Sequence, residues 1–144
     1  MKFDWSGYLD LANELAIVSD RDSVKTIEAK LRSSISRAYY AAFCLARNYL
    51  RDYLDDTRLS KARVDYVNEH QYVAEEFKNY DSRNTNMIEI GKSLSRLRAL
   101  RNKADYDDVF SYRIDKLQKE VTFSLQLAGN TIAKINELIE DTEA

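Results

Sequence analysis

The stretch SVKTIEAKLRSSISRAYYAAFCLARNYLRDYL, residues 23–54, decides the fold class. Its apolar residues recur every three or four positions, the repeat of one face of an α-helix: Val24, Ile27, Leu31, Ile35, Ala38, Ala42, Leu45 and Tyr49. Residues 111–139 share that spacing through Ile114, Leu117, Val121, Leu125, Ala128, Ile132, Ile135 and Ile139. We expect two such helices to pack side by side in a bundle.

Shorter helical patterns fill the rest of the chain. Residues 6–19 predict an amphipathic helix through Tyr8, Leu11, Leu15 and Val18, and Ser23 is a candidate N-cap for the long helix that follows. A polar connection over 55–65 precedes a short helix near 66–80, and the break DSRNTN precedes a helix over 85–104. Proline is absent and only three glycines occur, so helices can run uninterrupted. We predict one all-α domain of four or five helices over residues 1–144.

Composition narrows the class of protein. The 144 residues are 44% hydrophobic and 32% charged with a net charge of −2, so any binding of nucleic acid or of an anionic surface must be local. No apolar stretch approaches the roughly 20 residues that cross a bilayer, and MKFDWSGYLD lacks the apolar region of a signal peptide. We therefore expect a cytoplasmic protein without a membrane partner. The single Cys44 is expected to fill the core.

An arginine occupies the apolar face of the helix over 85–104. Met87, Ile90, Leu94 and Leu97 form a stripe whose next position is Arg101. Because a buried arginine needs a partner, Arg101 must meet a carboxylate, a water-filled groove or a shared interface. One interpretation is a salt bridge to Asp105. The other is an anion site with Arg98, because arginine before aspartate is the less favourable order and the two arginines repel each other.

The long helix over 23–54 carries a second polar group. Arg37 lies in an alanine- and tyrosine-rich segment, on a stripe with Ser33, Tyr40, Cys44 and Arg47. Tyr39 and Tyr40 are predicted either to line the core margin or to join a binding site. Arg37 and Tyr40 are therefore candidate ligand-binding residues, together with Arg98 and Asp105.

Two motifs carry a family resemblance. RSSISRAYYAAF (residues 32–43), followed roughly sixty residues later by LRALRNKADYD (residues 97–107), resembles the small prokaryotic branch of the HEPN superfamily with its SRAYYAAF and R-x-x-ADY motifs. The resemblance covers the second to fifth helices. It implies an antiparallel helical bundle, usually a homodimer that pairs near Arg101. Its relatives include metal-independent ribonucleases of toxin–antitoxin, phage-defence and CRISPR systems, and a nucleotidyltransferase-type antitoxin is an implied partner.

This sequence matches only part of the catalytic motif of the family that it resembles. The resemblance assigns its arginine to Arg101 and its following polar residue to Asn102, but Tyr106 stands where the histidine of the shortest motif belongs. Tyrosine titrates near 10, so Tyr106 is a poor base, although it can donate a proton or bind phosphate. The single histidine, His70, lies in the polar segment NEHQY, where we expect an exposed side chain rather than a replacement for the missing imidazole.

Two functions stay open. The first is a binding or regulatory module whose groove of Arg37, Arg98, Arg101 and Asn102 holds a nucleotide or RNA phosphate, or docks a partner. The second is an active ribonuclease toxin with Arg101, Asn102 and Tyr106 as catalytic residues. Asp105, Asp107 and Asp108 could hold a cation, but carboxylates at a helix end more often serve as caps. No cysteine and histidine set has metal spacing and no glycine-rich phosphate loop occurs, so we predict neither metal nor cofactor.

Overall fold

The computed structural model describes residues 2–59, 68–109 and 113–144. Within these ranges lie five α-helices, α1 (Gly7–Leu15), α2 (Val24–Asp52), α3 (Glu69–Asn79), α4 (Thr85–Tyr106) and α5 (Ile114–Glu143), together with a 3₁₀ helix over Thr57–Leu59. These ranges contain no β-strand. The helices pack together around α2, which lies against α1, α4 and α5, and α3 packs on α4. The predicted all-α bundle is confirmed.

Side-chain caps fix where three helices begin. Ser23 accepts a hydrogen bond from the backbone N–H of Thr26, as predicted, and Asn84 accepts one from Met87. Asn68 caps α3 in the same way. The helix α4 continues two residues beyond the predicted end, so the ADY motif is helical. The predicted starts at residues 66 and 111, and most of the polar connection, fall outside the described residues.

The core consists of two clusters of buried side chains. The larger cluster joins all five helices, and its members include Ala12, Tyr39, Cys44, Phe77, Leu94 and Ile135. The smaller cluster lies where α2, the end of α4 and the start of α5 meet, and contains Leu31, Ile35, Ala104, Leu117 and Val121. Cys44 is buried with a free thiol, which confirms its predicted place in the core.

Two predicted apolar positions lie at the surface. Val24 is 70% exposed because it occupies the first turn of α2, before the helix meets its neighbours. Leu11 is 38% exposed, whereas Ala12 is fully buried. The hydroxyl of Ser34 donates to the carbonyl of Ala12 over 2.7 Å, so α1 approaches α2 through a small residue rather than through Leu11.

A glycine brings α3 close to α4. A Cβ atom at Gly91 would stand 2.7 Å from the carbonyl oxygen of Ala74 and 2.9 Å from the backbone nitrogen of Lys78. Real side chains do not tolerate such distances, so only glycine permits this approach. The contact fixes α3, and with it His70, against α4.

An arginine from α2 holds the end of α4. Arg32 Nη1 donates to the carbonyl oxygens of Ala104 and Asp107 at 3.3 and 2.6 Å, and Nη2 donates to that of Asp108 at 3.4 Å. A cation at a helix C-terminus satisfies free carbonyl groups and interacts favourably with the helix dipole. The aspartates near this end therefore contribute backbone carbonyls to a cap.

Candidate functional site

Arg101 reaches from α4 to α2 and is largely buried. Its Nη2 donates to the hydroxyl of Tyr40 over 2.8 Å, and its Nη1 donates to Oδ1 of Asn102 over 3.1 Å. Its Nε lies 2.9 Å from Oδ2 of Asp105, and the Arg101 side chain is only 13% exposed. This last contact is an ion pair without an aligned hydrogen bond, since the buried Nε has no acceptor in line with its N–H. Arg101, the arginine on the apolar face of α4, therefore has a carboxylate partner.

Asp105 is anchored by α2 as well. The hydroxyl of Ser36 donates to the same Oδ2 over 3.2 Å. The order of arginine and aspartate was predicted to disfavour this pair, and that prediction is wrong here. The order matters in isolated helices, whereas Ser36 and Tyr40 hold both partners from a neighbouring helix. The salt-bridge interpretation of Arg101 and Asp105 is confirmed as a contact.

Arg98 and Arg37 differ from Arg101, because neither forms an ion pair within the described parts of the chain. The Nε of Arg98 is buried and has no hydrogen-bond partner. The Arg37 guanidinium lies over two aromatic rings, 5.2 Å from the centre of Tyr8 and 5.5 Å from that of Tyr40. Both cations therefore keep capacity to bind an anion.

His70 belongs to this site, which corrects the expectation of an exposed side chain. Its Nδ1 lies 2.6 Å from the hydroxyl oxygen of Tyr39, and its ring stacks on Phe43 with the centres 4.2 Å apart. The residue is half-buried because it continues the apolar face of α3 through Val73 and Phe77. We name the group formed by three helices the arginine–tyrosine site; its members are Arg37, Tyr39, Tyr40, His70, Arg98 and Arg101.

Burial and charge shift two titrating groups in the site. Burial is the main cause that lowers the pKa of His70 to about 4, and the positive charges of Arg98, Arg101 and Arg47 act in the same direction. Burial also raises the pKa of Tyr39 above its usual range. At neutral pH, His70 is therefore a neutral imidazole and Tyr39 keeps its proton.

The two remaining predicted catalytic residues lie on the outside of the site. Asn102 is exposed, and its Oδ1 accepts a hydrogen bond from Arg101. Tyr106 is 73% exposed, with its ring centre 5.9 Å from Cζ of Arg101. The structure thus brings Tyr40, Arg101, Asn102, Asp105 and Tyr106 together, as the sequence predicted. Arg37 joins this group through Tyr40.

Sequence reasoning left Tyr39 undecided between the core margin and a binding site, and it missed two members of this neighbourhood, His70 and Ser36. Tyr39 follows Ile35 by four residues and precedes Phe43 by four, a spacing that could have placed it in the core. His70 stands three residues before Val73 and seven before Phe77, on the same helical face. Nothing in the sequence distinguishes Ser36 from the other serines.

The described residues form neither a metal-binding cluster nor a membrane-spanning helix. Over residues 2–59, 68–109 and 113–144, no three histidine, cysteine, aspartate or glutamate side chains come together as a possible metal site. None of the helices in those ranges has both the length and the apolar character needed to cross a bilayer.

Comparisons with known proteins reveal a relative without a described function. An uncharacterized protein of the archaeon Methanocaldococcus jannaschii is 26% identical to this chain over 110 residues. The match covers 73% of this chain and 66% of the archaeal protein, just under two thirds of its length. No family model matches the chain, and no solved structure matches it. The resemblance to the HEPN superfamily therefore stays a prediction that rests on the two sequence motifs.

Proposed function

We propose that this chain is a HEPN-like, cytoplasmic binding module that holds the phosphate of a nucleotide or of RNA at the arginine–tyrosine site. The observation that carries the proposal is Arg98, whose buried Nε has no hydrogen-bond acceptor. A buried donor without an acceptor is costly, and Arg98, although only partly buried, has no carboxylate partner among the described residues. A bound phosphate would offer Arg98 the acceptor oxygens that the described part of the chain does not supply.

The balance of charge supports an anionic ligand. Arg37, Arg98 and Arg101 contribute three positive charges to the site. Among the described residues, the carboxylate that contacts these arginines is Asp105, and it already binds Arg101 and Ser36. The site is therefore locally positive although the whole chain has a net charge of −2.

Aromatic rings beside the arginines favour a nucleotide or RNA over a simple anion. Phe3 and Trp5 lie edge to face with their ring centres 4.8 Å apart, and Phe3 is 58% exposed. Arg47 lies over Trp5, and Arg37 lies over Tyr8. Unpaired bases stack on aromatic side chains and on arginine planes. These rings lie beside Arg37 and Arg47 and would offer stacking surfaces to the base of a nucleotide or of RNA.

Direct titration tests the proposal. We would add inorganic phosphate, adenosine monophosphate and single-stranded RNA to the wild type, to Arg98→Met and to Arg96→Met, and measure binding by calorimetry. Arg96 is a matched control because it is an exposed arginine of the same helix that lies over Phe123. Binding that weakens only in Arg98→Met supports the proposal, and equal weakening in both variants would show a non-specific charge effect.

A metal-independent ribonuclease with a diverged site is the second candidate. The observation in its favour is that an imidazole, His70, is close enough to Arg98 and Arg101 for their charges to lower its pKa. Imidazole is the usual proton-transfer group in such chemistry. Incubation of single-stranded and structured RNA with the protein in excess EDTA tests this activity. Arg101→Ala, Tyr106→Phe and His70→Gln must each reduce cleavage if the site is responsible.

Assembly is the remaining part of the proposal. A homodimer that pairs near Arg101, and a nucleotidyltransferase-type antitoxin as partner, follow from the resemblance. Exposed Tyr106 and Val109, 73% and 61% exposed beyond Arg101, support an interface at this end of α4. Light scattering at tens of micromolar protein tests the dimer, and Tyr106→Ser should weaken it.

A further inference from the structure

The contact between Tyr39 and His70 fixes the orientation of the imidazole. Tyr39 is 1% exposed, and its hydroxyl oxygen lies 2.6 Å from Nδ1 of His70. The imidazole ring also stacks on Phe43 at 4.2 Å and meets the ring of Tyr40 edge on at 6.2 Å. His70 therefore has little freedom to turn within the site.

The contact between Tyr39 and His70 also determines which imidazole nitrogen of His70 carries the proton. The Tyr39 hydroxyl has no other hydrogen-bond partner among the described residues, and its proton must be donated to avoid a buried, unsatisfied O–H group. Nδ1 of His70 is the available acceptor. A neutral imidazole that accepts at Nδ1 carries its proton at Nε2.

We infer that the Nε2–H group of His70 is a hydrogen-bond donor to a phosphate oxygen, and that Tyr39 holds the imidazole in the required tautomer. The inference rests on the proposed function and names a donor for it. The ligand class is a phosphate monoester or diester, bound by the charge of Arg98 and by this neutral donor. Nε2 has no hydrogen-bond partner among the described residues and is not a buried atom, so it is available for a ligand.

The charged groups around His70 support a donor that is neutral when the site is empty. Arg47 from α2 and Arg98 and Arg101 from α4 place positive charge near the ring. Glu69, the neighbouring residue on α3, pairs with Arg47 at 3.9 Å. These charges disfavour the imidazolium form, in which Nδ1 would carry a proton and could not accept from Tyr39, so His70 donates to the phosphate as a neutral imidazole.

The position of the proton at Nε2 of His70 is compatible with phosphate binding but not with a role of that nitrogen as the base in RNA cleavage. An imidazole protonated at Nε2 has no lone pair there to accept the proton of a ribose 2′-hydroxyl. His70 in this tautomer can hold a phosphate oxygen but cannot act as the base at that nitrogen. The geometry thus favours the binding module over the ribonuclease.

Nuclear magnetic resonance of the imidazole tests the tautomer directly. His70 is the single histidine of the chain, so protein without a histidine tag gives one set of imidazole signals. Proton–nitrogen correlation spectra at pH 7 should show a protonated Nε2 and an unprotonated Nδ1. A protonated Nδ1 in the free protein would overturn the inference, whether or not any phosphate binds.

A phosphate titration then tests the role of the donor. Inorganic phosphate should shift the Nε2–H signal, and His70→Phe, which keeps an aromatic ring on Phe43, should weaken phosphate binding about tenfold. Tyr39→Phe should also weaken it, whereas Tyr49→Phe, a buried tyrosine of the same helix outside the site, should not. Circular dichroism would confirm that each variant is folded.

The outcomes distinguish the inference from the proposed function. Phosphate that binds the wild type without moving the His70 signals, and binds His70→Phe equally well, would overturn the inference and leave the proposed function standing. If phosphate, adenosine monophosphate and single-stranded RNA all fail to bind, the proposed function is wrong and the donor role falls with it.

Discussion

Arg98→Met should raise stability while it weakens phosphate binding. Methionine keeps most of the apolar length of the arginine side chain and removes the buried Nε that has no acceptor. An unsatisfied buried donor costs about 1–3 kcal/mol. Because Arg98 is only partly buried, we expect a gain near the lower end, about 1 kcal/mol in the free energy of unfolding. For a chain of this size the melting temperature should rise by about 2–4 °C.

Two assays on the same variants measure the two effects. Urea unfolding, followed by circular dichroism, gives the free energy of unfolding, and calorimetry gives the affinity for phosphate. Arg96→Met removes the same charge from the same helix, but it removes a contact with Phe123, whose ring centre lies 4.8 Å from the Arg96 guanidinium carbon. That control should bind phosphate as the wild type does and gain no stability.

One result would refute the reasoning. If Arg98→Met lost more than about 1 kcal/mol of stability and still bound phosphate normally, Arg98 would be a structural residue. The unsatisfied Nε would then not mark a ligand site, and the proposed function would lose the observation that carries it.

Three further predictions concern other parts of the same architecture. Arg101→Met should lower the free energy of unfolding by about 2 kcal/mol, because the Asp105 carboxylate, whose side chain is 26% exposed, would keep only its hydrogen bond from Ser36. A loss below about 0.5 kcal/mol in urea unfolding would contradict this prediction. The folded-state pKa of His70 is about 4, below the ordinary 6.5, so its stabilising contribution is complete above pH 6.5 and is lost as the pH falls towards 4. Thermal unfolding should therefore show a steeper loss over that range for the wild type than for His70→Gln. Gly91→Ala should cost about 1–3 kcal/mol, because its Cβ would meet a backbone carbonyl at 2.7 Å, and unchanged urea unfolding would contradict a tight α3–α4 contact.

The helices could be predicted from the sequence because their signals are strong and local. The apolar repeats of α2 and α5 extend over many turns, no proline interrupts them, and Ser23 caps α2 where predicted. The apolar repeat does not predict which residues make the closest contacts between helices, because helix packing determines them. Ala12 rather than Leu11 faces α2, since the Ser34 hydroxyl requires a close approach of the two backbones.

The site was predictable where its residues are neighbours on one helix. Arg101, Asn102, Asp105 and Tyr106 lie within two turns of α4, so helical geometry alone brings them together. The contact between Arg101 and Tyr40 joins residues 61 positions apart, and local geometry contains no information about it. The resemblance of the two motifs directed attention to this pair of helices.

His70 shows why the rest could not be predicted. The resemblance directs the search for an imidazole to α4, where Tyr106 stands, whereas the imidazole near the arginines comes from α3. Its position depends on how closely α3 approaches α4, and that approach depends on the missing side chain of Gly91. A three-helix arrangement of this kind follows from packing, which a single sequence does not display.

The arginine that caps α4 has a consequence for the entropy of binding. Helix ends usually fray, and ordering a frayed residue costs about 1–2 kcal/mol of conformational free energy. Arg32 binds the carbonyls of Ala104, Asp107 and Asp108, so the last turns of α4, which carry Arg101, are already ordered before a ligand arrives. A phosphate would meet a preorganised surface, and its affinity would not be reduced by the cost of ordering that helix end. Arg32 can thus strengthen binding without contacting the ligand.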